Sequence, residues 1–542
     1  MSDLDFLTLA EAARLIESRR LSPVELTRAK LARIAALDPQ LNAFITVTAD
    51  HALRQAEAAE AEIAAGRYRG PMHGIPYGLK DVYDTAGILT SAQSRICIGN
   101  IPGEDAAVTQ KLREAGGVLL GKLATIEFTH GGPSFDAPWP PARNPWNPEH
   151  YTGGSSSGSA VAVATGMALG AMGSDTGGSV RIPAAFCGTA GLKPTFGLIS
   201  RHGVIPNSFS FDHCGPLAWT VEDCAIMLQA VAGHDPRDSG SAIFSSPDYR
   251  AALVPDLRGL RIGVVRHFWE EDLRAGAEMV QAMEAALDVC RRLGARIEDV
   301  RVRPLQNYVD VKMVIAETEI FCVHQKDLIA RPGEFGLPFL SQTLAGCLFE
   351  ATDYVQAQRE RRLMQAEMAP LYRNFDVLVT SGSGPAPRFD QFSVLNAWIR
   401  PNVYNVFNVT GGPCIAVCIG FTRDGLPLSM QVGGRPFDDP AVLRAAYAYE
   451  QATDWRRSRP KMTPHATRVE VSVPPVLSGK GVDENTRRIA EQNARRAGLK
   501  LNDMHLAMLC DVAPYALAMA QRIRRDRPRS LEPSSAFRLD AG

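Results

Sequence analysis

Two serines of this chain have the setting for attack on a carbonyl. Ser155 and Ser179 lie 24 positions apart, each within a glycine cluster: Gly153-Gly154-Ser155-Ser156-Ser157-Gly158-Ser159-Ala160 and Asp175-Thr176-Gly177-Gly178-Ser179-Val180-Arg181. Glycines around a serine free the backbone, so that successive N–H groups can converge on one point. An oxyanion hole needs that convergence, because its donors must meet the charge that develops as a carbonyl is attacked. A flexible linker or a phosphate loop fits less well. A linker would not lead straight into fourteen apolar or small residues, and no G-x-x-x-x-G-K-[ST] occurs. Lys80 is the third residue to weigh. Gly74 to Val82 reads as a turn and a short buried strand carrying this lysine between apolar neighbours, and lysine is rarely fully buried. Taken alone, Lys80 reads more readily as an exposed lysine at a strand end.

The elements that must position these residues are visible in the pattern. Ala160 to Gly173 reads as one buried helix that would bring the two serines together at its ends. Two helices open the chain, at Thr8-x-x-Glu11 and at Ser22-Pro23-Val24-Glu25, each with a capping-box signature. An Ala/Glu-rich helix follows over about 48 to 65. Gly259 to Val265, Ala275 to Leu293 and Ala295 to Val302 alternate as strand, helix, strand, which predicts a βαβ unit and an α/β sheet. Further strands are expected at Asp376 to Thr380, Cys414 to Ile419 and Leu428 to Gly433.

The C-terminal part reads differently. Residues 463–482, rich in proline and glycine, read as a linker, and Asp483 to Ala497 and Asp503 to Arg525 as two helices. The arginines at 522, 524, 525, 527 and 529 read as a solvated helix end whose cations complement the dipole, in preference to an RNA contact.

With 542 residues, 45% of them hydrophobic, and a formal net charge of -1, the chain has the composition of a soluble protein with a large core, and nucleic acid is not expected as its main ligand. Ten scattered cysteines form no C-x-x-C and no zinc-ligand cluster, so they read as reduced thiols. No basic segment followed by an apolar run opens the chain, and no apolar run reaches the roughly 20 residues of a membrane span. Cytoplasmic residence without membrane attachment is the expectation.

Together, Lys80, Ser155 and Ser179 in this glycine context resemble the amidase signature family, whose triad is Ser-cisSer-Lys. The likeness rests on GGSSSGSA at 153–160, GSDTGGSVRIPAAFCGTAGLKPTFG at 173–197 and GIPYGLKD at 74–81. RNPWNP at 143–148, GLPLSMQVGGRPFDD at 425–439 and AYEQATDWRRSRP at 448–460 extend it over nearly all of residues 1–460. The resemblance implies an α/β fold, a mixed central sheet covered by helices on both faces. It makes Ser179 the nucleophile, Ser155 the serine after a cis peptide bond and Lys80 the general base. The N–H groups of Thr176, Gly177, Gly178 and Ser179 would form the oxyanion hole, with Asp175 and Arg181 supporting the loop. No metal or organic cofactor is implied.

These roles agree with the chemistry of the groups. A serine hydroxyl needs a base, and no histidine motif stands beside Ser179. A lysine serves if an apolar pocket keeps it neutral.

Thr129, His130 and Gly131 lie where relatives line the acyl pocket, and the segment from Leu123 to Gly132 departs from glutamine-using members. Residues 483–542, with their end motif Glu532 to Arg538, resemble small helical accessory subunits of biuret-pathway hydrolases and, more distantly, of tRNA-dependent amidotransferases. The implied division is a catalytic domain at 1–462, a linker at 463–482 and an accessory-like extension at 483–542, with the tail wrapping its own chain or a neighbour in a homo-oligomer.

The function expected first is an amidohydrolase of a small carboxamide, anilide or ureido compound. The alternative is the glutaminase subunit of a tRNA-dependent amidotransferase. A non-catalytic scaffold is disfavoured by the presence of all three triad residues.

Overall fold

Among the described residues, eleven strands make up one mixed sheet: β1 (Phe44–Val47), β2 (Pro76–Lys80), β3 (Val118–Leu123), β4 (Gly170–Asp175), β5 (Ala190–Lys193), β6 (His213–Ala218), β7 (Arg261–Val264), β8 (Arg296–Asp299), β9 (Val377–Ser381), β10 (Cys414–Phe421) and β11 (Pro427–Gly434). The computed structural model describes residues 4–473 and 475–534. Strand order is β1-β3-β2-β4-β6-β5-β10-β11-β9-β7-β8. β2 runs parallel to both β3 and β4, and β7 parallel to both β8 and β9, while the centre is antiparallel. Every residue of β2, β3, β4, β5 and β6 is buried, so helices and loops cover both faces there. Such strands read as continuous apolar or small runs instead of alternating ones. The edge strand β8 is largely exposed.

The predicted βαβ unit is present as β7, the helix Ala277–Arg292 and β8, and the strands expected near 376, 414 and 428 are β9, β10 and β11. One expectation is corrected. The stretch from Ala160 to Gly173 is not one helix: the helix Ser157–Ala164 ends at Thr165, and the chain then enters β4. Ala171 by itself favours helix and Gly170 favours neither state, and the pairing of this segment with β2 and β6 overrides that local preference. Ser155 therefore precedes the helix, and Ser179 follows the next strand.

Among the described residues beyond Arg457, the next helix is Glu484–Arg496, which is followed by Asp503–Ile523. Both helices pack into the same apolar core as the sheet, through Ala490, Ala494, Met508, Leu509 and Val512. Asp503–Ile523 lies against the helices Leu305–Ala330 and Leu337–Thr343 of the same chain, and both tail helices touch the turn Leu344–Leu348. The basic end is not simply solvated. Arg522 bonds Asp310 at 2.7 Å, Arg524 bonds Asp353 at 2.6 Å and Arg527 bonds Glu360 at 2.8 Å. Burial of the apolar face sets these cations down on acidic residues of the helices Leu305–Ala330 and Ala351–Asn374. Pro474 and residues 535–538 of the end motif lie outside the described residues.

Candidate active site

Parallel pairing of β2 with β4, in register at Leu79 and Met172, sends Lys80 and Ser174 to the same edge of the sheet. Ligand chemistry in open α/β sheets sits outside the carboxyl ends of the strands, and this edge is one such place. Lys80 is fully buried. Its Nζ lies 2.6 Å from Ser155 Oγ, 2.9 Å from Ser174 Oγ and 3.1 Å from Ser156 Oγ. Hydroxyls and one carbonyl surround this amine, and no carboxylate touches it among the described residues. Burial pulls its pKa down to about 7, outweighing the opposite pull of Asp175 and Asp212. The Gly154–Ser155 peptide is cis. Ser156 N–H donates to the Ser179 carbonyl at 3.1 Å, which ties the two glycine loops together.

The second loop is held from within. Asp175, the last residue of β4, accepts from the N–H groups of Gly178 at 2.8 Å and Val180 at 3.1 Å, and from Arg181 Nε and Nη2 at 3.0 Å each. Arg181, itself buried, also donates to Asn408 Oδ1 at 2.6 Å and to Gln431 Oε1 at 2.9 Å. Burial pushes the Asp175 carboxyl up, but the guanidinium beside it and the hydrogen bonds outweigh that and hold it well below the usual carboxylate range. Gly178 has φ +116°, and a Cβ there would lie 2.6 Å from Tyr404 Cβ, so only glycine makes this turn.

One of the four expected donors is engaged within the loop. The Gly178 N–H is engaged by Asp175 Oδ1, so it shapes the loop and does not face outward. The N–H groups of Thr176, Gly177 and Ser179 take no protein acceptor among the described residues, and neither does the half-buried Ser179 hydroxyl.

The expected pocket residues divide. Thr129 accepts from Asn207 Nδ2 through Oγ1 at 2.8 Å, and the Asn207 N–H donates to Asp212. Asp212 in turn accepts from Thr176 Oγ1 at 2.6 Å, which links Thr129 to the serine loop. Thr129, Ser174 and Asp212 border a cavity of about 260 Å³. A larger cavity of about 880 Å³ shares Arg201, Phe209 and Ser239 with it and extends to Ser534. Ser179 lines neither, so hydroxyl and N–H geometry locates the site, not cavity size. His130 is buried, with Nε2 2.9 Å from Glu317 Oε2. Gly131 packs against the Pro338 carbonyl, which a Cβ would approach to 2.6 Å.

Sequence reasoning missed Lys312 and Asn405. A Cβ on Gly177 would lie 3.1 Å from Asn405 Oδ1 and 3.3 Å from Lys312 Cε. Asn408 and Gln431, which steady Arg181, were missed as well. Gln431 falls inside a quoted motif, whereas the other three sit in segments with no motif to flag them.

A sheet edge with a buried lysine, a cis serine and a glycine-rich serine loop defines a class of amide-cleaving enzyme. The family model described as Amidase matches residues 25–443, and the chain belongs to the amidase signature family. Curated relatives include a subunit of the glutamyl-tRNA(Gln) amidotransferase of Methylococcus capsulatus, 40% identical over 84% of this chain and 98% of that one. Its counterpart in Chloroflexus aggregans is 37% identical over 85% of this chain and 99% of its own length. Among solved structures, a chain of the vestigial complex bearing on the origins of an s-triazine catabolic enzyme superposes with a TM-score of 0.78 at 33% identity, covering 84% of this chain and 100% of that chain. The peptide amidase of Stenotrophomonas maltophilia gives 0.73 at 34% identity, over 84% of this chain and 98% of that one. The fold and the amide-cleaving class follow from these likenesses. Among the described residues no helix is long and apolar enough to cross a membrane.

Proposed function

We propose that this chain cleaves a carboxamide C–N bond through an acyl-enzyme on Ser179. Ser179 Oγ attacks the carbonyl carbon while its proton passes to Ser155, whose own proton passes to Lys80. The oxyanion rests on the N–H groups of Thr176, Gly177 and Ser179. The relay returns the proton to the leaving nitrogen, which departs as amine or ammonia. Water then attacks the ester by the same path and frees the acid and the serine. The observation that carries this reading is the fully buried Lys80 amine, 2.6 Å from Ser155 Oγ and drawn down to about 7, because such an amine can accept a proton near neutrality.

Two uses of that step differ in substrate and acceptor. The curated relatives favour glutamine as the amide and a partner protein as the recipient of ammonia, since matches spanning nearly their whole length are named as subunits of the glutamyl-tRNA(Gln) amidotransferase. A stand-alone hydrolase of a small carboxamide, anilide or ureido compound is the second reading. Likeness to a peptide amidase and an aryl acylamidase supports it, as does the departure at Leu123 to Gly132. Ammonia release from glutamine, measured with the purified chain alone and then with an amidotransferase partner and tRNA, separates them. Release that requires the partner supports the first, and turnover of short amides by the isolated chain supports the second.

A further inference from the structure

Lys312 stands on the helix Leu305–Ala330 with its side chain only 11% exposed. A buried ammonium carries three donors that need acceptors. The nearest carboxylate oxygen, Glu317 Oε1, is 3.9 Å away, beyond hydrogen-bond distance, and the other Glu317 oxygen is taken by His130 at 2.9 Å. Among the described residues the amine's one hydrogen bond goes to Met313 Sδ at 3.7 Å, a weak acceptor. The side chain runs along the face of Gly177: a Cβ there would meet Lys312 Cε at 3.3 Å and Nζ at 3.9 Å. Asn405 Oδ1 closes on the same point at 3.1 Å and, though buried, has no hydrogen-bond partner among the described residues. Gly177 is also one of the loop residues with a free N–H. A cation and an amide side chain short of partners thus flank the donors proposed to meet the oxyanion.

We propose that Lys312 and Asn405 form a subsite for a carboxylate carried on the acyl part of the substrate. The preferred substrates are then half-amides of short dicarboxylic acids and their relatives, whose carboxylate lies a few bonds from the scissile carbonyl. Lys312 supplies the ion pair. Asn405 supplies an N–H, since a half-turn of its amide exchanges oxygen for nitrogen. Glu317 and His130 set the position of the lysine from behind: a carboxylate 3.9 Å away steadies the cation without saturating it. The proposal rests on the Ser179 acyl-enzyme and holds for either use of it, because glutamine also carries a carboxylate on its acyl side.

The test uses a neutral alkyl fluorophosphonate that labels an active serine, followed by intact-protein mass. Labelling is run in competition with malonamate, succinamate and glutaramate, and with the neutral amides of the same length, propionamide, butyramide and pentanamide. In the wild-type chain at least one carboxylated amide is expected to protect at a concentration about tenfold or more below its neutral counterpart, the scale of a hydrogen bond to a charged group. Lys312→Met is expected to bring that ratio to about one, and Lys312→Arg to keep most of it. Since each ratio is taken within one protein, a change in overall reactivity cancels. If no carboxylated amide outcompetes its neutral partner in wild type, or if Lys312→Met keeps the preference, the subsite is wrong while the acyl-enzyme stands. If the wild-type chain takes no label that Ser179→Ala abolishes, the acyl-enzyme falls and the subsite with it.

Discussion

A serine hydroxyl becomes a nucleophile when a base can reach its proton and nothing else holds the oxygen. Ser179 meets the second condition, with no protein partner for its hydroxyl among the described residues. The proposed route to Lys80 through Ser155 meets the first. Ser179→Ala is therefore expected to abolish turnover while the folding stability stays within about 0.5 kcal/mol of wild type, as for substitutions away from packed or paired positions. A variant that retains wild-type turnover would falsify the mechanism. The proposed base has a pH signature. Lys80 accepts a proton only when neutral, and its pKa is drawn down from 10.5 to about 7 by burial. Below about 7 the amine is charged and acylation should fall roughly tenfold per pH unit; above it the rate should level off. The rate of Ser179 labelling, followed from about pH 5.5 to about 8.5, checks this. Lys80→Met should lose both the rate and the inflection, and an inflection that survives in that variant assigns it to another group.

At the scale of elements, β4 and the turn that follows it do the positioning. Asp175 binds two N–H groups of its own loop and the guanidinium of Arg181, and Arg181 reaches Asn408 and Gln431. Asp175→Asn removes the carboxylate and leaves Arg181 buried without its counter-charge. The expected loss is about 3 to 5 kcal/mol of stability, read by denaturant unfolding. A fall in kcat of about a hundredfold or more is expected too, since the loop carries the proposed oxyanion donors. Stability near wild type would show that Asn408 and Gln431 alone suffice. The residues proposed for catalysis could be singled out because Ser155 and Ser179 stand in short motifs whose glycines have local steric reasons, and Lys80 only through the family resemblance. The strand between the serines was not legible, since Gly170-Ala171-Met172-Gly173 shows no alternation and its state is set by β2 and β6 on either side. Nor was the lining of the site. Asn207, Lys312, Glu317 and Asn405 come from distant segments and meet only through the tertiary fold, so no spacing could announce them.

For the whole molecule, the question is what the last two helices do for a sheet that already has a core. They bury Met508, Leu509, Val512 and Ala516 against the same apolar cluster, and Arg522, Arg524 and Arg527 fasten onto Asp310, Asp353 and Glu360. Asp310 lies on the helix Leu305–Ala330, two residues before Lys312. The tail and the proposed substrate subsite therefore share one rigid element, and loosening the first should disturb the second. Asp310→Ala leaves Arg522 without its carboxylate but leaves the apolar contacts in place. It is expected to lower the unfolding midpoint by a few degrees and to reduce the preference for carboxylated over neutral amides. Labelling of Ser179 by the neutral probe should change far less, because Lys80, Ser155 and the Asp175 loop are held by other elements. Ending the chain after Met462 is the larger perturbation. Uncovering Leu340, Leu344 and Leu348 should make the shortened protein prone to association, measurable by light scattering, since a contiguous apolar face left open to water is an aggregation liability. A shortened chain that stays monomeric, keeps its melting temperature and keeps its substrate preference would assign the tail to another surface altogether.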